Sequence, residues 1–298
     1  MTIPRILRGS RGRLSRQYTA ARLPLSILVP LSVLVLVSLV TLACFLLQRA
    51  PATVAAERQL TIGERFHDET SLTWGGAAAD RGVEKPAMPP RFKDYPSAPF
   101  IELPEPAHTG LAVETALRQR RSVRAFSVKP ITLTQLSELL FSAQGMTGGD
   151  EGTPLRPAPS AGALYPFEIY VVANRVEGLA QGIYHYSVRR HGLEQVKRGD
   201  FAGAISDAGL KQESLAGSAV TFVLSAVFDR TRSKYGERGF RYVYMEAGHI
   251  SQSICLEAVS LGLGSVTVGA FLDAAVNELI GLDGQEEAAI YLQAVGAR

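Results

Sequence analysis

Apolar positions change their spacing several times along the chain, and each spacing predicts a different element. From Leu25 to Leu47 they are almost continuous ("LSILVPLSVLVLVSLVTLACFLL"), without a charge, over more than the roughly 20 residues a helix needs to cross a bilayer. That run predicts a transmembrane helix over 25–47, with a cleavable signal peptide as the competing reading because small residues follow at "ATVAAE". Residues 48–110 then lose any sustained period and fill with Pro, Ala and Gly, which predicts an extended linker that wraps a domain.

Regular patterning resumes near residue 111. Thr109 and Gly110 start a short helix through Leu117, and "ITLTQLSELLFSAQG" places Thr132 three residues before Gln135, a capping-box spacing. Leu136, Leu139, Leu140 and Ala143 follow at i, i+3, i+4 and i+7, so an amphipathic helix runs to Gly145. "FEIYVVAN" is rich in β-branched and aromatic residues and predicts a strand. "GIYHYSV" and "GLEQVKR" predict a hairpin, and "AVTFVLSAVF" is apolar nearly throughout, as a central strand would be. Residues 240–261 predict a long helix whose buried stripe is Ala247, Ile250, Ile254, Ala258 and Leu261. "SVTVGAF" and "AIYLQAVG" predict strands on either side of a short helix near 273–280. The pattern is that of one α+β domain, its sheet covered by helices.

Composition refines this picture in two places. The net charge of +3 is set by six arginines in residues 1–24, which contain no acid, so the remainder carries −3. A slightly acidic body does not offer the basic face that nucleic-acid binding requires. The same arginines precede the apolar run, and the positive-inside rule then predicts a cytoplasmic tail over 1–24 with the domain on the outer side of the membrane. Cys44 and Cys255 define neither a disulfide framework nor a thiolate metal site. His67, His108, His185, His191 and His249 lack ligand spacing, so no metal is expected and each reads as structural. No GxSxG elbow or P-loop occurs, and "GLGSVTVG" follows a helix and enters a strand, the reverse of a dinucleotide fingerprint.

Two stretches carry candidate chemistry. "RRSVRAF" surrounds Ser122 with Arg120, Arg121 and Arg124, a set of charge-assisted donors plus a hydroxyl suited to a phosphate monoester. A solvated basic helix end is the plain alternative. "PSAGALYPFEIYVV" sets small residues, Ser160, Ala161 and Gly162, in a loop where backbone can lie against a flat ligand, with Tyr165 as an aromatic wall.

In order along the chain, "RRSVRAF", "PSAGALYPFEIYVV", "KYGERGFRYVYMEAGHISQ" and "LGLGSVTVGAF" resemble the nitroreductase-like flavoproteins, within them the SagB-type, azoline-oxidising dehydrogenases. The resemblance runs from about residue 65 onward. It implies a nitroreductase-like fold over 111–298 with a central, mostly antiparallel sheet, FMN as cofactor, and a homodimer with the flavins at the interface. Arg120, Arg121, Ser122 and Arg124 would hold the phosphate and ribityl chain, and Ser160, Ala161 and Gly162 would lie beside the flavin. The backbone of Val268, Gly269 and Ala270 would face its ring, and Arg298 would reach the phosphate. The helix after Gly239 would form much of the dimer interface. Lys234 and Tyr235 match the pair thought to handle the proton while flavin N5 takes the hydride; without the resemblance, "SKYGER" reads as a surface turn. Ser253 and Ala163 depart from residues common in the relatives. The implied function is a hydride-transferring, FMN-dependent oxidoreductase acting on a small or peptide-derived substrate. The alternatives are an NAD(P)H-driven nitro or quinone reductase and a degenerate flavin-fold module that binds without turnover.

Overall fold

A computed structural model describes residues 31–47, 59–107 and 109–298, and the chain divides into two compact units at Gln59 and Leu60. The first contains helix α1 (Leu31–Leu47). Its side chains from Val33 to Phe45 are exposed. At 1.5 Å per residue its 17 residues span about 26 Å, short of a hydrocarbon core about 30 Å thick. Among the described residues no helix is long and apolar enough to cross a membrane. Of the helix predicted over 25–47, the described part, Leu31–Leu47, is helical. Residues 25–30, the six arginines before them and His108 lie outside the described residues.

The second unit opens with α2 (Ile62–Glu69), a small hairpin of β1 (Leu72–Thr73) and β2 (Gly76–Ala77), and β3 (Phe100–Glu102). These elements lie within the stretch that the sequence presents as an extended linker wrapping a domain. Two- and three-residue strands are too short for a period to accumulate, but the cap of α2 is legible: Thr61 accepts from the Glu64 amide while the Glu64 carboxylate accepts from the Thr61 N–H. Then follow α3 (Val113–Gln119), α4 (Leu133–Gln144), β4 (Phe167–Ala173), β5 (Gly182–Ser187), β6 (Gly192–Arg198), α5 (Ala202–Ala208) and α6 (Glu213–Ala216). The chain closes with β7 (Val220–Val227), α7 (Phe228–Tyr235), α8 (Gly239–Ser260), β8 (Leu263–Val268), α9 (Asp273–Ile280) and β9 (Glu287–Ala297). Helix α4 begins at the predicted box, Thr132 with Gln135.

Seven strands form one sheet in the order β3-β6-β5-β4-β7-β9-β8, and every pairing within it is antiparallel. Both faces are covered. Ile169, Val171 and Ala173 of β4 join Leu136, Leu140, Ile250 and Ile254 from α4 and α8 on one face. Tyr170 and Val172 join Ile205, Leu215, Val276 and Ile280 from α5, α6 and α9 on the other. Because successive strand residues alternate between two apolar layers, β4 and β7 read as unbroken apolar runs instead of alternating ones. Helix α8 buries Ala247, Ile250, Ile254 and Ala258 as its stripe predicts, while Tyr244 and Met245 stay exposed on its other side.

Candidate functional site

The arginine segment is pinned to the sheet edge. Helix α3 ends at Gln119, with Arg120 at its C-cap, and the chain then runs alongside β8. Ser122 forms a parallel bridge to Ser265, and the Val123 N–H donates to the Ser265 carbonyl at 2.9 Å. The close approach needs glycine: a Cβ on Gly264 would sit 2.7 Å from Val123 Cγ1, and one on Gly296 would meet Phe126 at 3.0 Å. Arg298 arrives at the same strand, its Nε donating to the Leu263 carbonyl at 3.1 Å. Arg121 donates to the backbone carbonyls of Arg118 and Arg120 at 3.0 and 2.7 Å. Among the described residues no carboxylate pairs with Arg120, Arg121, Arg124 or Arg298. The backbone of the arginine segment thus runs beside β8, where Arg298 also arrives, and among the described residues no carboxylate answers these arginines; with the Ser122 hydroxyl they are a donor set whose chemistry fits a phosphate monoester.

At the other end of β8, Val268 is buried while Gly269 and Ala270 are exposed. Ser265 and Gly269 are about 13 Å apart at the rise of an extended strand. The strand therefore joins the cationic cluster to an exposed stretch of backbone.

The loop before β4 is built around Gly162. Its φ of 64° is left-handed, and an added Cβ would lie 2.9 Å from Tyr235 Oη and 3.0 Å from Lys234 Nζ. The chain thus brings a lysine ammonium and a phenol, 72 and 73 positions later, onto the small-residue loop. Both residues end α7; the predicted surface turn is the C-terminus of a helix. Helix α7 is fixed from below by Arg230, one turn earlier and 2% exposed. Arg230 donates to Glu168 at 2.6 Å, to the Pro90 carbonyl at 2.7 Å and to the Tyr165 carbonyl at 3.4 Å. Lys234 Nζ stands 5.4 Å from the Tyr235 ring centroid, and Tyr235 meets Tyr242 edge-to-face at 5.0 Å.

Tyr165 lies beneath this loop, not beside it. It is 5% exposed, its amide donates to the Ser160 hydroxyl at 2.9 Å and its own hydroxyl accepts from the Arg156 amide at 3.2 Å. The Arg156 guanidinium covers the ring at 4.7 Å. In this chain the aromatic wall expected from the sequence is a buried support of the loop.

Two buried ionisable groups carry no signal in the sequence. Glu246, on α8, is 2% exposed, bonds the Ser160 hydroxyl and has one oxygen, Oε1, without a hydrogen-bond partner. Burial pushes its carboxyl up to about 7, against the opposing pull of the Ser160 bond and the Arg156 charge. His185 lies between Glu168 and Glu194, at 3.0 and 2.8 Å. Burial is the largest influence and lowers its pKa, but the bonds to the two carboxylates together outweigh it and lift it to about 9. Burial likewise opposes ionisation of Glu168, and Arg230 and His185 overcome it to hold that carboxyl near 2. No period or spacing marks such partners, because they come together only across strands. His191 bonds Ser137 and Tyr186 at 2.7 and 2.8 Å, a structural role, while His67 and His249 are exposed. No group of metal-ligating side chains occurs among the described residues.

A nitroreductase family model matches residues 117–297, a span that includes the arginine segment, the Gly162 loop, Lys234, Tyr235 and β8 and stops one residue short of Arg298. A protein of Methanocaldococcus jannaschii described as a nitroreductase is 41% identical over 180 residues, 60% of this chain and 89% of that one. The microcin B17-processing protein McbC of Escherichia coli is 29% identical over 171 residues, 56% of this chain and 62% of its own length. A crystal structure of a protein described as a nitroreductase, from Anabaena variabilis, superposes with a TM-score of 0.65 at 27% identity and covers 82% of this chain. This chain spans about half of that protein, 49%. The chain belongs to the nitroreductase family.

Proposed function

We propose that this protein is an FMN-dependent oxidoreductase of the SagB dehydrogenase type, passing a hydride between its substrate and flavin N5. The observation that carries the reading is the set of unpaired guanidiniums around Ser122, pinned to β8 where the strand leads on to exposed backbone at Gly269 and Ala270. Arg120, Arg121, Arg124 and Arg298 would hold the phosphate, and Ser122 would donate its hydroxyl beside them. Bound FMN supplies two-electron hydride chemistry. Gly162 keeps the loop thin enough for Lys234 Nζ and Tyr235 Oη to reach it, so both groups are placed to hold or move a proton at the substrate. Glu246 and Tyr165 hold that loop from below through Ser160.

The dehydrogenase reading draws on the Lys234–Tyr235 pair and on the microcin-processing relative. Reduction of a nitro or quinone substrate by NAD(P)H is the second reading, drawn from the Methanocaldococcus relative. A homodimer is part of the proposal. Tyr244 and Met245 on α8 with Val113 and Leu117 on α3 leave apolar surface exposed, and α3 and α8 pack together. Residues 25–47 are proposed as an anchor that holds the domain outside the cytoplasm, supported by the exposed apolar side chains of α1 and the arginines before it. Protease accessibility in intact cells tests that side.

The central experiment is to purify the full chain and record flavin absorbance, then its bleaching by dithionite, by NADPH and by an azoline. Bound flavin reduced by the azoline supports the dehydrogenase, and reduction by NADPH alone supports the second reading. A colourless protein that cannot be loaded with FMN refutes both. Lys234→Ala should retain flavin and lose azoline oxidation.

A further inference from the structure

A cavity of about 470 Å³ opens beneath the β1–β2 hairpin, and Lys234 and Tyr235 form part of its wall. Its volume is that of a small-molecule site. Its charge is one-sided: Arg81, Lys85, Lys234 and Arg238 line it, against one acid, Asp80. Asp80 is already engaged, its Oδ1 accepting from the Glu237 amide at 2.7 Å, and Glu237 itself pairs with Arg232 at 2.6 Å, away from the cavity. The cations are held in place largely by neutral groups. Lys85 donates to the Lys234 carbonyl at 2.8 Å. Arg238 donates to the Thr70 carbonyl at 2.7 Å and to Tyr242 Oη at 2.8 Å. No carboxylate pairs with any of the four among the described residues. Like charges concentrated around a concave wall raise the local concentration of anions and favour their binding.

The apolar part of the wall is equally specific. Tyr235 and Tyr242 meet edge-to-face at 5.0 Å, offering flat surface, and Leu72 lines the opposite, hairpin side. Trp74, the only tryptophan of the chain, projects fully exposed from the hairpin next to Gly75, which also lines the cavity.

Resting on the oxidoreductase reading of Lys234 and Tyr235, we propose that this cavity selects a substrate that carries a carboxylate on a planar ring. The carboxylate lies against Arg81 and Lys85, and the ring lies on the tyrosine side, toward the Gly162 loop. A heterocycle embedded within a peptide, flanked by neutral amides, leaves the four cations without a counter-charge and is the poorer ligand.

The single tryptophan at the rim makes the test direct and independent of flavin or turnover. Emission of the full chain is titrated with thiazole-4-carboxylate, with thiazole-4-carboxamide and with inorganic phosphate. The acid should cause saturable quenching and bind about tenfold more tightly than the amide, the scale of one charge-assisted contact. Arg81→Gln and Lys85→Gln, both on exposed side chains, should each erase most of that difference, and Arg81→Lys should keep part of it. Equal affinity for acid and amide, or an unchanged preference in the two glutamine variants, overturns the proposal. Phosphate binding as tightly as the acid overturns its ring component. A colourless protein that still prefers the acid would sink the redox reading alone, whereas a yellow, active protein without the preference would sink this one alone.

Discussion

Two groups of arginines in this domain are treated in opposite ways. Arg230 is buried, and its guanidinium is answered by Glu168 and by two backbone carbonyls, while Glu168 is shared with His185 and through it with Glu194. Arg121 donates to two backbone carbonyls, and among the described residues no carboxylate pairs with it, with Arg120 or with Arg124. A core cannot leave a charge unanswered, because desolvation then costs several kcal/mol. A surface edge can, and charge left over at a structurally pinned edge is what the proposed phosphate site requires. The largest test of this contrast is on the core side. Glu168→Ala should lower unfolding free energy by about 3 to 5 kcal/mol, since Arg230 and His185 would be left buried without it. A loss under about 1 kcal/mol in urea titration would mean the network is not what holds α7 to β4.

The buried carboxyls give the contrast a pH signature. Glu246 sits near 7 in the folded protein against an ordinary 4.5, so the folded state binds the extra proton between those values. The contribution of Glu246 should therefore fall as pH rises from about 4.5 to about 7, by about 2 to 3 kcal/mol, and stay constant above. Glu168, held near 2, works in the other direction: its contribution is complete above 4.5 and is lost as pH falls toward 2. His185, lifted to about 9, contributes fully below 6.5 and is lost as pH rises through 9. Glu246→Gln should flatten the segment between 4.5 and 7 and leave the other two limbs in place. A difference curve without slope in that interval would remove Glu246 from the account.

On the surface side the expected effect is on ligand, not on stability. Arg124→Ala should weaken FMN binding by about 10- to 100-fold, in line with about 1.5 to 3 kcal/mol for a hydrogen bond to a charged group. The melting temperature of the flavin-free protein should hold within about 1 °C, since an exposed, unpaired side chain contributes little to folding. Flavin titration and a thermal melt on the same sample separate the two. A large fall in stability with unchanged affinity would assign this arginine to the fold.

What the sequence displays follows the same division between local and distant contacts. The box at Thr132, the stripe of α8 and the apolar runs of β4 and β7 are local patterns, and each appears in the structure where expected. The clusters at Ser122 and Gly162 show themselves through residue types alone. Their meeting with Arg298, Lys234 and Tyr235 depends on the sheet order, which brings positions more than 70 residues apart to one strand or one loop. Tyr165 was misplaced for that reason: its residue type suggests a wall, and only the packing of Arg156 shows that it lies below. The sequence suggests a wrapping segment over 48–110 but none of the strands within it, because these are two and three residues long.

Two capping boxes, one closed by a glutamine and one by a glutamate, offer the finest comparison between these regions. Thr132 with Gln135 opens α4, whose Leu136, Leu139 and Leu140 are fully buried in the main core. Thr61 with Glu64 opens α2, which buries no residue and leads directly into the hairpin over the cavity. Replacing either threonine by alanine removes the same bond, worth about 1 kcal/mol. Thr132→Ala should lower global stability by that amount and the melting temperature by about 2 to 4 °C. Thr61→Ala should leave the melt unchanged and instead speed amide hydrogen exchange across residues 62–77, since a segment with no buried side chains in its helix can open without the core. Equal shifts in the melt from both variants would show that α2 and the hairpin unfold with the sheet, and that the cavity wall is as fixed as the core beneath it.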